Sequence, residues 1–520
     1  MCLQFLSKQH NPSQNAELIE KYLENKWDAE TTVEKMNQLY KREKLANDAN
    51  KKQGLQRSLF HKIMHGFKRL YSKKAVVNTN YREELMVQNG DIFPRWKKQL
   101  DQAYACLLKK TEKTVNVADF GAVGDGKTDC TRAFQQAMGS GKVKVKVPSG
   151  TFLVRGIRLP SYTHFSGEGQ GETILKLIDK SPKRTRLISN ANHIKGNSHI
   201  YVEGFTLDWN VDRLSPFKKT SSGNNFSSCL TFANVSYGWV RKVEAINPGL
   251  HCFDITSTYY NYAGDGLRGK GSSSFVWLDQ LKGYGFGDDG ITTHHSSNII
   301  ISNSHMCDPS GRAHQSGFSN SNGFEVDDGS QYVWLANNSS ARCFGGVELK
   351  AHANSSAAMH TTIIGHLSVN DNRSFNFRHI GHHHKEEPAS KTAVGIQAVK
   401  LVAYRPIYTP LYKKSTPRAM VISSYKKVGI NNFSAIGDPG YDYHRQPVIA
   451  IQYRASHVWL DNIYVQQFNK AGADIEVFGG KNRASHVTIG HVTGTARNGP
   501  IVRAGKEVEL VYSDWHGKKT

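Results

Sequence analysis

The segment VNVADFGAVGDGKTDCTRAFQQAMGSGKVKVKVPSGTFLV, residues 115–154, contains the clearest fold signal in the chain. Its glycine-rich centre predicts a turn. The residues after the turn predict a short helix from about Asp129 to Met138, with Asp129 or Thr128 as its cap. The alternating run KVKVKV that follows predicts a β-strand with one buried face. A strand, a turn, a short helix and a second strand therefore follow one another in this segment.

This order of elements resembles the opening of the pectate-lyase-3 type of right-handed parallel β-helix, and the resemblance covers residues 115–155. In that family such a segment begins the solenoid, and the short helix covers its open end. The GDG triplet could also belong to a phosphate-binding loop, but no GK[ST] follows it and there is no second βαβ unit. The resemblance therefore implies a β-solenoid.

Short runs with β-branched or aromatic alternation recur through the rest of the chain, among them HIYVEGFTLDW, NIIISNSHM and HVWLDNIYV. Glycines mark a spacing near two dozen residues, with 24 from Gly266 to Gly290 and 23 from Gly323 to Gly346. Each coil of a solenoid buries its inward residues only against neighbouring coils, which is why such chains repeat. A β-sandwich or propeller would show more hairpin signals such as NG or DG.

We therefore predict a mainly β protein in two regions. Residues 1–112 would form a basic α-helical N-terminal region, and residues 113–515 a right-handed parallel β-helix. Within the first region, residues 55–71, LQRSLFHKIMHGFKRLY, predict a basic amphipathic helix. Such a helix could bind an anionic membrane surface or a protein partner, or its apolar stripe could pack on the body of the protein.

The composition narrows the class of partner. The chain has 67 Lys and Arg against 44 Asp and Glu, a formal net charge of +23, which favours a polyanion such as an acidic polysaccharide. Nucleic acid is not expected, because no recognised binding motif accompanies the charge. Seven scattered cysteines without a CxxC pair favour reduced thiols.

Neither a membrane span nor a secretory signal is expected. No apolar run approaches the roughly 18 residues that a span needs. The start MCLQFLSKQHNPSQN lacks the apolar core of a signal peptide. We therefore expect a cytoplasmic or virion-associated protein that is released by lysis, and the sequence leaves its oligomeric state open.

Two adjacent carboxylates, Asp288 and Asp289, stand in GFGDDGITTHH. Asp265 precedes Asp288 by 23 residues, and His314 follows Asp289 by 25. Residues one coil apart stack on the same face of a solenoid, so we predict a cluster of Asp265, Asp288 and Asp289 in one groove. The flanking glycines would allow the bend that turns both members of the pair toward it.

The series of DG, DD, a glycine-flanked His314 and a lysine after an alternating strand resembles the catalytic motifs of the polygalacturonase-type glycoside hydrolases. Those enzymes share the fold and carry NTD, DD, GHG and RIK. The resemblance implies that Asp288 is the general acid and that Asp265 and Asp289 activate water. It implies that His314 and Lys350 tune the site and bind the substrate carboxylate.

Three positions depart from these motifs: Ala-Gly replaces the Asn-Thr before Asp265, the looser AHQSG replaces GHG around His314, and Glu348 replaces the arginine of RIK. The Glu348 replacement concerns the substrate more than the reaction. Inverting hydrolysis needs a protonated and an ionised carboxyl about 6.5–9.5 Å apart, and clustered like charges keep one member protonated. We predict inverting hydrolysis of an acidic glycan without a metal or other cofactor.

Alternative reactions remain open on the same fold. Asp327 and Asp328 form a second DDG, which could host the acid and base or bind Ca²⁺ in a uronate lyase. YGFGDDG is similar to the YGFDPH signature of mannuronan C5-epimerases, in which Tyr284 would be an acid. The histidine tracts at 293–295 and 381–387 predict no metal site, because no carboxylate or cysteine stands at ligand spacing. A phage tailspike or adhesin-type glycan-binding β-helix is the alternative of another class.

Overall fold

The fold is described from a computed structural model of the 520-residue chain. The predicted basic helix at 55–71 and the histidine tract at 381–387 lie outside the described residues. The described residues are 6–53, 83–223, 225–260, 264–265, 270–353, 355–379, 389–494, 499–506, 508 and 510–512.

Strands dominate the structure. Helices α1 to α4 span Asn15–Tyr22, Ala29–Gln53, Lys97–Lys110 and Thr131–Met138. Strands β1 to β34 span, in chain order, Leu85–Gln88, Asp91–Pro94, Lys113–Asn116, Asp125–Asp129, Val143–Lys146, Gly150–Val154, Ile157–Leu159, Thr163–Ser166, Thr173–Leu177, Ile188–Asn190, Asn197–Asp208, Leu230–Ala233, Val235–Ile246, Phe253–Thr256, Ser274–Asp279, Lys282–Tyr284, Ile291–Thr293, Ser297–Ser302, His305–Cys307, Asn322–Val326, Gln331–Ala341, Gly345–Leu349, Thr361–Val369, Arg373–Phe377, Val394–Tyr404, Arg418–Ser423, Lys426–Ile436, Pro447–Gln452, Ser456–Gln466, Ala473–Val477, Ser485–Ile489, Val492–Gly494, Val502–Ala504 and Leu510–Tyr512.

The coils have three faces. The first sheet takes one strand from each of twelve coils, β7, β10, β12, β14, β17, β20, β22, β24, β26, β28, β30 and β33, all in parallel. Long strands such as β11 supply the other two faces, since its first half pairs with β8 and its second half with β9. Gly204 lies between these halves with φ of 74°, a left-handed conformation that suits glycine. The predicted right-handed parallel β-helix is confirmed.

The inside of the solenoid is a continuous apolar column. In the first sheet, Phe253, Ile291, Phe324, Val347 and Phe375 stand in register on successive strands, and each is fully buried. Burying each such side chain contributes roughly 1.5–3 kcal/mol. Because successive strand residues alternate between faces, the residue after each of these points outward.

Helix α4 covers the first coils as the sequence predicts, but it begins later. Phe134 packs edge-on against Phe152 and Phe165, which closes the apolar column. The cap prediction was wrong, since Cys130 occupies the N-cap position of a helix that starts at Thr131. Asp129 instead accepts a hydrogen bond from the Thr131 amide at 3.1 Å, one residue before the cap.

A second sheet, which contains the first halves of β11 and β13 and the strands β15, β18 and β21, carries an apolar stripe on its outer side. Tyr201, Trp239, Trp277, Ile300 and Trp334 follow one another in register across five strands. Helices α2 and α3 pack their apolar residues against this stripe and form one buried cluster with it. The N-terminal helices are therefore part of the outer packing of the β-helix.

The N-terminal region also contains an element that the sequence analysis missed. Strands β1 and β2 pair as an antiparallel hairpin through a turn at Asn89 and Gly90, both with positive φ. The six described cysteines form no disulfide. Among the described helices, none combines the length and the apolar character needed to cross a membrane.

Candidate functional site

The outward residues of the first sheet form a polar ladder, one residue per coil. Asp254, Thr292, Glu325, Glu348 and Asn376 stand in register on β14, β17, β20, β22 and β24. Each carboxylate of the ladder lies between two inward apolar residues, as in FDI, FEV and VEL. This repeated pattern was the available signal for Asp254 and Glu325, which the sequence analysis did not select.

The Asp288–Asp289 pair lies at the turn that leads into β17. The Asp288 amide donates to the Leu250 carbonyl at 3.0 Å, and the Cys252 amide donates to the Asp289 carbonyl at 3.2 Å. The turn is tightly packed: a methyl group added at Gly290 would lie 2.5 Å from the Gly323 carbonyl oxygen. Close approach of successive coils therefore requires glycine directly after the pair.

Asp265 does not join this pair. It accepts a hydrogen bond from the Ser356 amide at 2.8 Å, and its carboxylate lies 4.0 Å from His295 Nδ1. The residue beside Asp289 in the preceding coil is His251, 38 positions earlier. The predicted three-carboxylate cluster was wrong, because Asp265 lies between β14, which ends at Thr256, and β15, which begins at Ser274, and the position one coil before Asp289 is occupied by His251.

His314, which the resemblance implies tunes the site and binds the substrate carboxylate, lies against Asp288 in the structure. His314 Nε2 lies 2.7 Å from Asp288 Oδ1, and the imidazole is about a third exposed while the carboxylate is 10% exposed. Burial acts to raise the pKa of Asp288, but the charge and hydrogen bond of His314 outweigh it and hold that pKa well below its usual range. Burial acts to lower the pKa of His314, and Asp288 raises it overall.

Asp289 is in a different environment. Its Oδ1 accepts hydrogen bonds from the Asn322 amide at 2.9 Å and from Asn322 Nδ2 at 3.1 Å. Burial, and then the neighbouring charge of Asp288, raise the pKa of Asp289 well above its usual value. The surroundings thus displace the two pKa values in opposite directions, downward for Asp288, to which the resemblance assigns the general-acid role, and upward for Asp289.

Lys350 lines the same cavity as this pair and lies between the carboxylates of Glu325 and Asp327. Its Nζ is 2.6 Å from Glu325 Oε2 and 3.8 Å from Asp327 Oδ2, and the side chains of all three residues are at least 90% buried. Asp289 contributes a weaker electrostatic attraction. The structure thus places Lys350 beside the predicted site, where it is the counter-charge of Glu325 and Asp327.

The second DDG forms another acid–histidine group. His352 donates from its amide to Asp328 Oδ1 at 2.8 Å, and its Nδ1 lies 3.1 Å from Asp328 Oδ2. Tyr260 donates to the same oxygen at 3.2 Å. Burial acts to raise the pKa of Asp328, but His352 outweighs it and lowers that pKa, while burial and then Asp328 raise the pKa of Asp327.

Two other predicted site residues have separate contacts. Glu348 is fully buried and its Oε1 accepts a hydrogen bond from Arg378 Nε. Tyr284 lies on β16, outside the first sheet, beneath the Lys8 ammonium at 5.4 Å from the ring centre. Burial raises the pKa of Tyr284 to about 12, and the structure does not bring it to the carboxylate ladder.

A cavity of about 290 Å³ connects these groups. Asp288, Asp289, His314 and Lys350 line it, as does Glu325. Its volume is near the lower end of the range for small-molecule sites.

Several lining residues were not among the predicted site residues. His251, His294, His352 and Arg378 belong to this group. Phe318 and Tyr412 also line the cavity, with exposures of 54% and 37%. These residues come from loops and coil ends, where strand alternation gives no signal.

Three groups of side chains have the donors and spacing to hold a metal ion. They are His251 with Asp288 and Asp289, His294 with Glu325 and Asp327, and Asp327 with Asp328 and His352. In each group one donor atom per residue lies within 4.8 Å of the others. In the first group, one carboxylate oxygen of Asp288 and one of Asp289 therefore lie within 4.8 Å of each other.

The parallel coils and the carboxylate-lined cavity give the chain the fold of the pectin-lyase-like right-handed parallel β-helix proteins. Residues 114–363 match the family described as rhamnogalacturonase A/epimerase, pectate lyase-like.

Its similar proteins include phage proteins. The chain is 46% identical over 421 residues to the putative phage-related protein YobO of Bacillus subtilis (strain 168), covering 81% of this chain and 52% of that protein. It is 39% identical over 399 residues to the pre-neck appendage protein of Bacillus phage phi29, covering 76% and 46%.

A solved structure gives the same likeness. The crystal structure of the pre-mature bacteriophage phi29 gene product 12 superposes with a TM-score of 0.71 at 38% identity, covering 77% of this chain and 52% of that one. The chain thus spans about half the length of these relatives.

Proposed function

We propose that this chain is the glycan-processing β-helix of a phage-type appendage protein, and that it cleaves an acidic cell-surface polysaccharide by glycoside hydrolysis. The observation that carries the proposal is the Asp288–Asp289 pair, which lines a cavity and has pKa values displaced in opposite directions. Pairs of carboxyls whose environments separate their pKa values are typical of glycosidase acid–base sites. The similarity to pre-neck appendage proteins supports the virion association.

The environments suggest a role for each carboxyl. Asp289, whose pKa is raised by burial and by Asp288, would donate a proton to the leaving glycosidic oxygen. Asp288, whose pKa His314 lowers, would act as the carboxylate that attacks the anomeric carbon or holds the attacking water. His314 is then a positioning residue that keeps the Asp288 charge in place.

Charge supports an acidic substrate. The chain carries a formal net charge of +23, and Arg378 and His314 line the same cavity as the carboxylates. Phe318 and Tyr412 offer partly exposed rings beside the cavity, onto which the apolar face of a sugar could pack.

The test is a product assay on a panel of acidic polysaccharides, with reducing ends and absorbance near 235 nm read together. Asp288→Asn and Asp289→Asn should each lower reducing-end release by at least about 100-fold, because each removes one half of an acid–base pair. Asp265→Asn is the matched control, since Asp265 contacts Ser356 outside the pair and should retain activity.

The panel separates the alternatives. New absorbance without hydrolysis would replace the proposal by a uronate lyase, and changed uronate stereochemistry without cleavage by a C5-epimerase. Saturable binding with no product from any polymer would replace it by an adhesin-type binding protein.

A further inference from the structure

The histidine directly after β17, His294, is held as metal-bound histidines are held. His294 is 1% exposed, its Nδ1 lies 3.3 Å from Asp254 Oδ1, and its ring stacks on Tyr260 at 3.8 Å between centres. A carboxylate only accepts hydrogen bonds, so Nδ1 carries the proton and Nε2 presents its lone pair. A carboxylate on the far nitrogen is the usual second-shell partner of a metal-binding histidine.

The Nε2 lone pair faces an oxygen that lacks a hydrogen bond. Asp327 Oδ2 lies 3.8 Å from His294 Nε2, and Thr292 Oγ1 lies 3.4 Å from it. Both carboxylate oxygens of Asp327 are shut off from solvent and accept no hydrogen bond from the part of the chain that the structure describes. Lys350 Nζ at 3.8 Å and His352 Nδ1 at 3.7 Å are near Asp327 Oδ2 but beyond hydrogen-bond distance, so both oxygens remain available to a ligand, and a buried polar group without a hydrogen bond is the usual sign of one.

Glu325 completes the set. Its Oε2 is occupied by Lys350 Nζ at 2.6 Å and by Asn322 Nδ2 at 2.8 Å, whereas its Oε1 has only a long contact of 3.3 Å with Thr292 Oγ1. Donor atoms of His294, Glu325 and Asp327 all lie within 4.8 Å of one another. Two ligands about 2.1 Å from one ion lie roughly 3.0–3.5 Å apart, so small side-chain shifts would bring these donors into a coordination shell.

We propose that His294, Glu325 and Asp327 bind one first-row divalent cation, Zn²⁺ or Mn²⁺, with an open coordination position toward the cavity. An imidazole with two carboxylates suits these ions, whereas Ca²⁺ prefers six to eight oxygens. His294 and Glu325 line the cavity, which gives the ion an entry path and a position for a substrate oxygen. The site shares the cavity of the proposed function but does not depend on the reaction.

The test measures metal binding to the full chain without substrate. The chain is freed of metal with a chelator, and Zn²⁺ and Mn²⁺ are titrated by calorimetry, with Mn²⁺ also followed by electron paramagnetic resonance. His382, His383 and His384 are replaced by Gln in all samples, so that this tract offers no competing site. We expect one equivalent of Zn²⁺ or Mn²⁺ to bind, and His294→Gln and Asp327→Asn each to weaken binding at least tenfold.

Controls locate the ion. Asp288→Asn removes a donor of the neighbouring His251 group and should leave affinity within about threefold. His352→Gln removes a donor of the Asp328 group and should do the same. Circular dichroism of each variant confirms folding, and Glu325→Gln is a third ligand variant in case Asp327→Asn fails to fold.

Two results would overturn the proposal. One is that the protein with His294, Glu325 and Asp327 intact binds no stoichiometric Zn²⁺ or Mn²⁺. The other is that binding depends on His352 or Asp288 instead of His294. Failure of glycan cleavage beside intact metal binding would count against the proposed function alone.

Discussion

Replacing Lys350 by methionine tests whether the Lys350 ammonium stabilises the buried carboxylates of Glu325 and Asp327. Methionine keeps most of the length and apolar contact of the lysine stem but removes the ammonium. That ammonium lies 2.6 Å from Glu325 Oε2 and 3.8 Å from Asp327 Oδ2, and Lys350 is 5% exposed. Its loss leaves two buried carboxylates without their shared counter-charge.

The expected cost is large for a single substitution. Removing one partner of a buried ion pair typically costs about 3–5 kcal/mol, because the remaining charge is neither solvated nor neutralised. Lys350→Met should therefore lower the free energy of unfolding by about that amount. Adding Glu325→Gln removes one of the stranded charges, so the double variant should be more stable than Lys350→Met alone.

The assay is urea unfolding in the presence of EDTA, so that a bound cation does not replace the ammonium. Tryptophan fluorescence and circular dichroism are followed together, since coincident transitions justify a two-state free energy. Lys97→Met is the matched control. The Lys97 side chain is 3% exposed, but its partner Asp101 is 44% exposed and stays hydrated when the ammonium is lost. This control should cost no more than about 2 kcal/mol.

Two results would refute the reasoning. If Lys350→Met cost no more than Lys97→Met, the ladder carboxylates would not depend on the ammonium. If Glu325→Gln added to Lys350→Met brought no recovery, the stranded charge would not be the source of the loss.

Three further predictions concern other parts of the molecule. Burial raises the pKa of Glu43 to about 7 against 4.5 for the free side chain, so ionisation costs folded-state stability. The wild type should therefore lose stability as pH rises from about 4.5 through 7, and thermal unfolding of Glu43→Gln should lack that decline. Gly290→Ala should destabilise by about 1–3 kcal/mol by overpacking against Gly323, whereas Gly440→Ala, whose methyl group meets only Asp438 Oδ1 at 3.5 Å, should be nearly neutral in the same denaturation assay. Proton NMR of the first cleavage product should show inverted anomeric configuration, as the resemblance to the polygalacturonase-type hydrolases implies, and retention would instead make Asp288 a nucleophile that attacks the anomeric carbon.

The sequence predicted the solenoid well because its signals are local. Alternation within KVKVKV reports which side chains face the core, and each coil repeats that pattern regardless of its neighbours. The hairpin of β1 and β2 was missed because its strands are only four residues long and its Asn-Gly turn stands within a region classed as helical.

The candidate site was predicted only in part because it depends on register. The resemblance implied that His314 and Lys350 belong to the site of the Asp288–Asp289 pair, and both line the same cavity as that pair. Asp265 was misplaced because the fixed spacing of 23 residues does not hold where a loop lengthens the coil. Only the pairing of β14 with β17 reveals that His251 is the neighbour of Asp289.

The protonation states could not follow from sequence. Asp288 and Asp289 are adjacent and chemically identical, and their opposite pKa displacements come from His314 on one side and burial on the other. Glu325 was missed because a single carboxylate in an alternating strand reads as an ordinary solvent-facing residue. Its burial arises from the loops that enclose the cavity.

The stripe of Tyr201, Trp239, Trp277, Ile300 and Trp334 makes the N-terminal helices hard to separate from the coils they cover. A solenoid without those helices would present a flat row of large apolar side chains to water, which is the kind of surface that associates nonspecifically. Recombination between related genes could exchange the coils for others only if the incoming outer face matched the helices already present. The solenoid and the N-terminal helical segment are therefore expected to be inherited together.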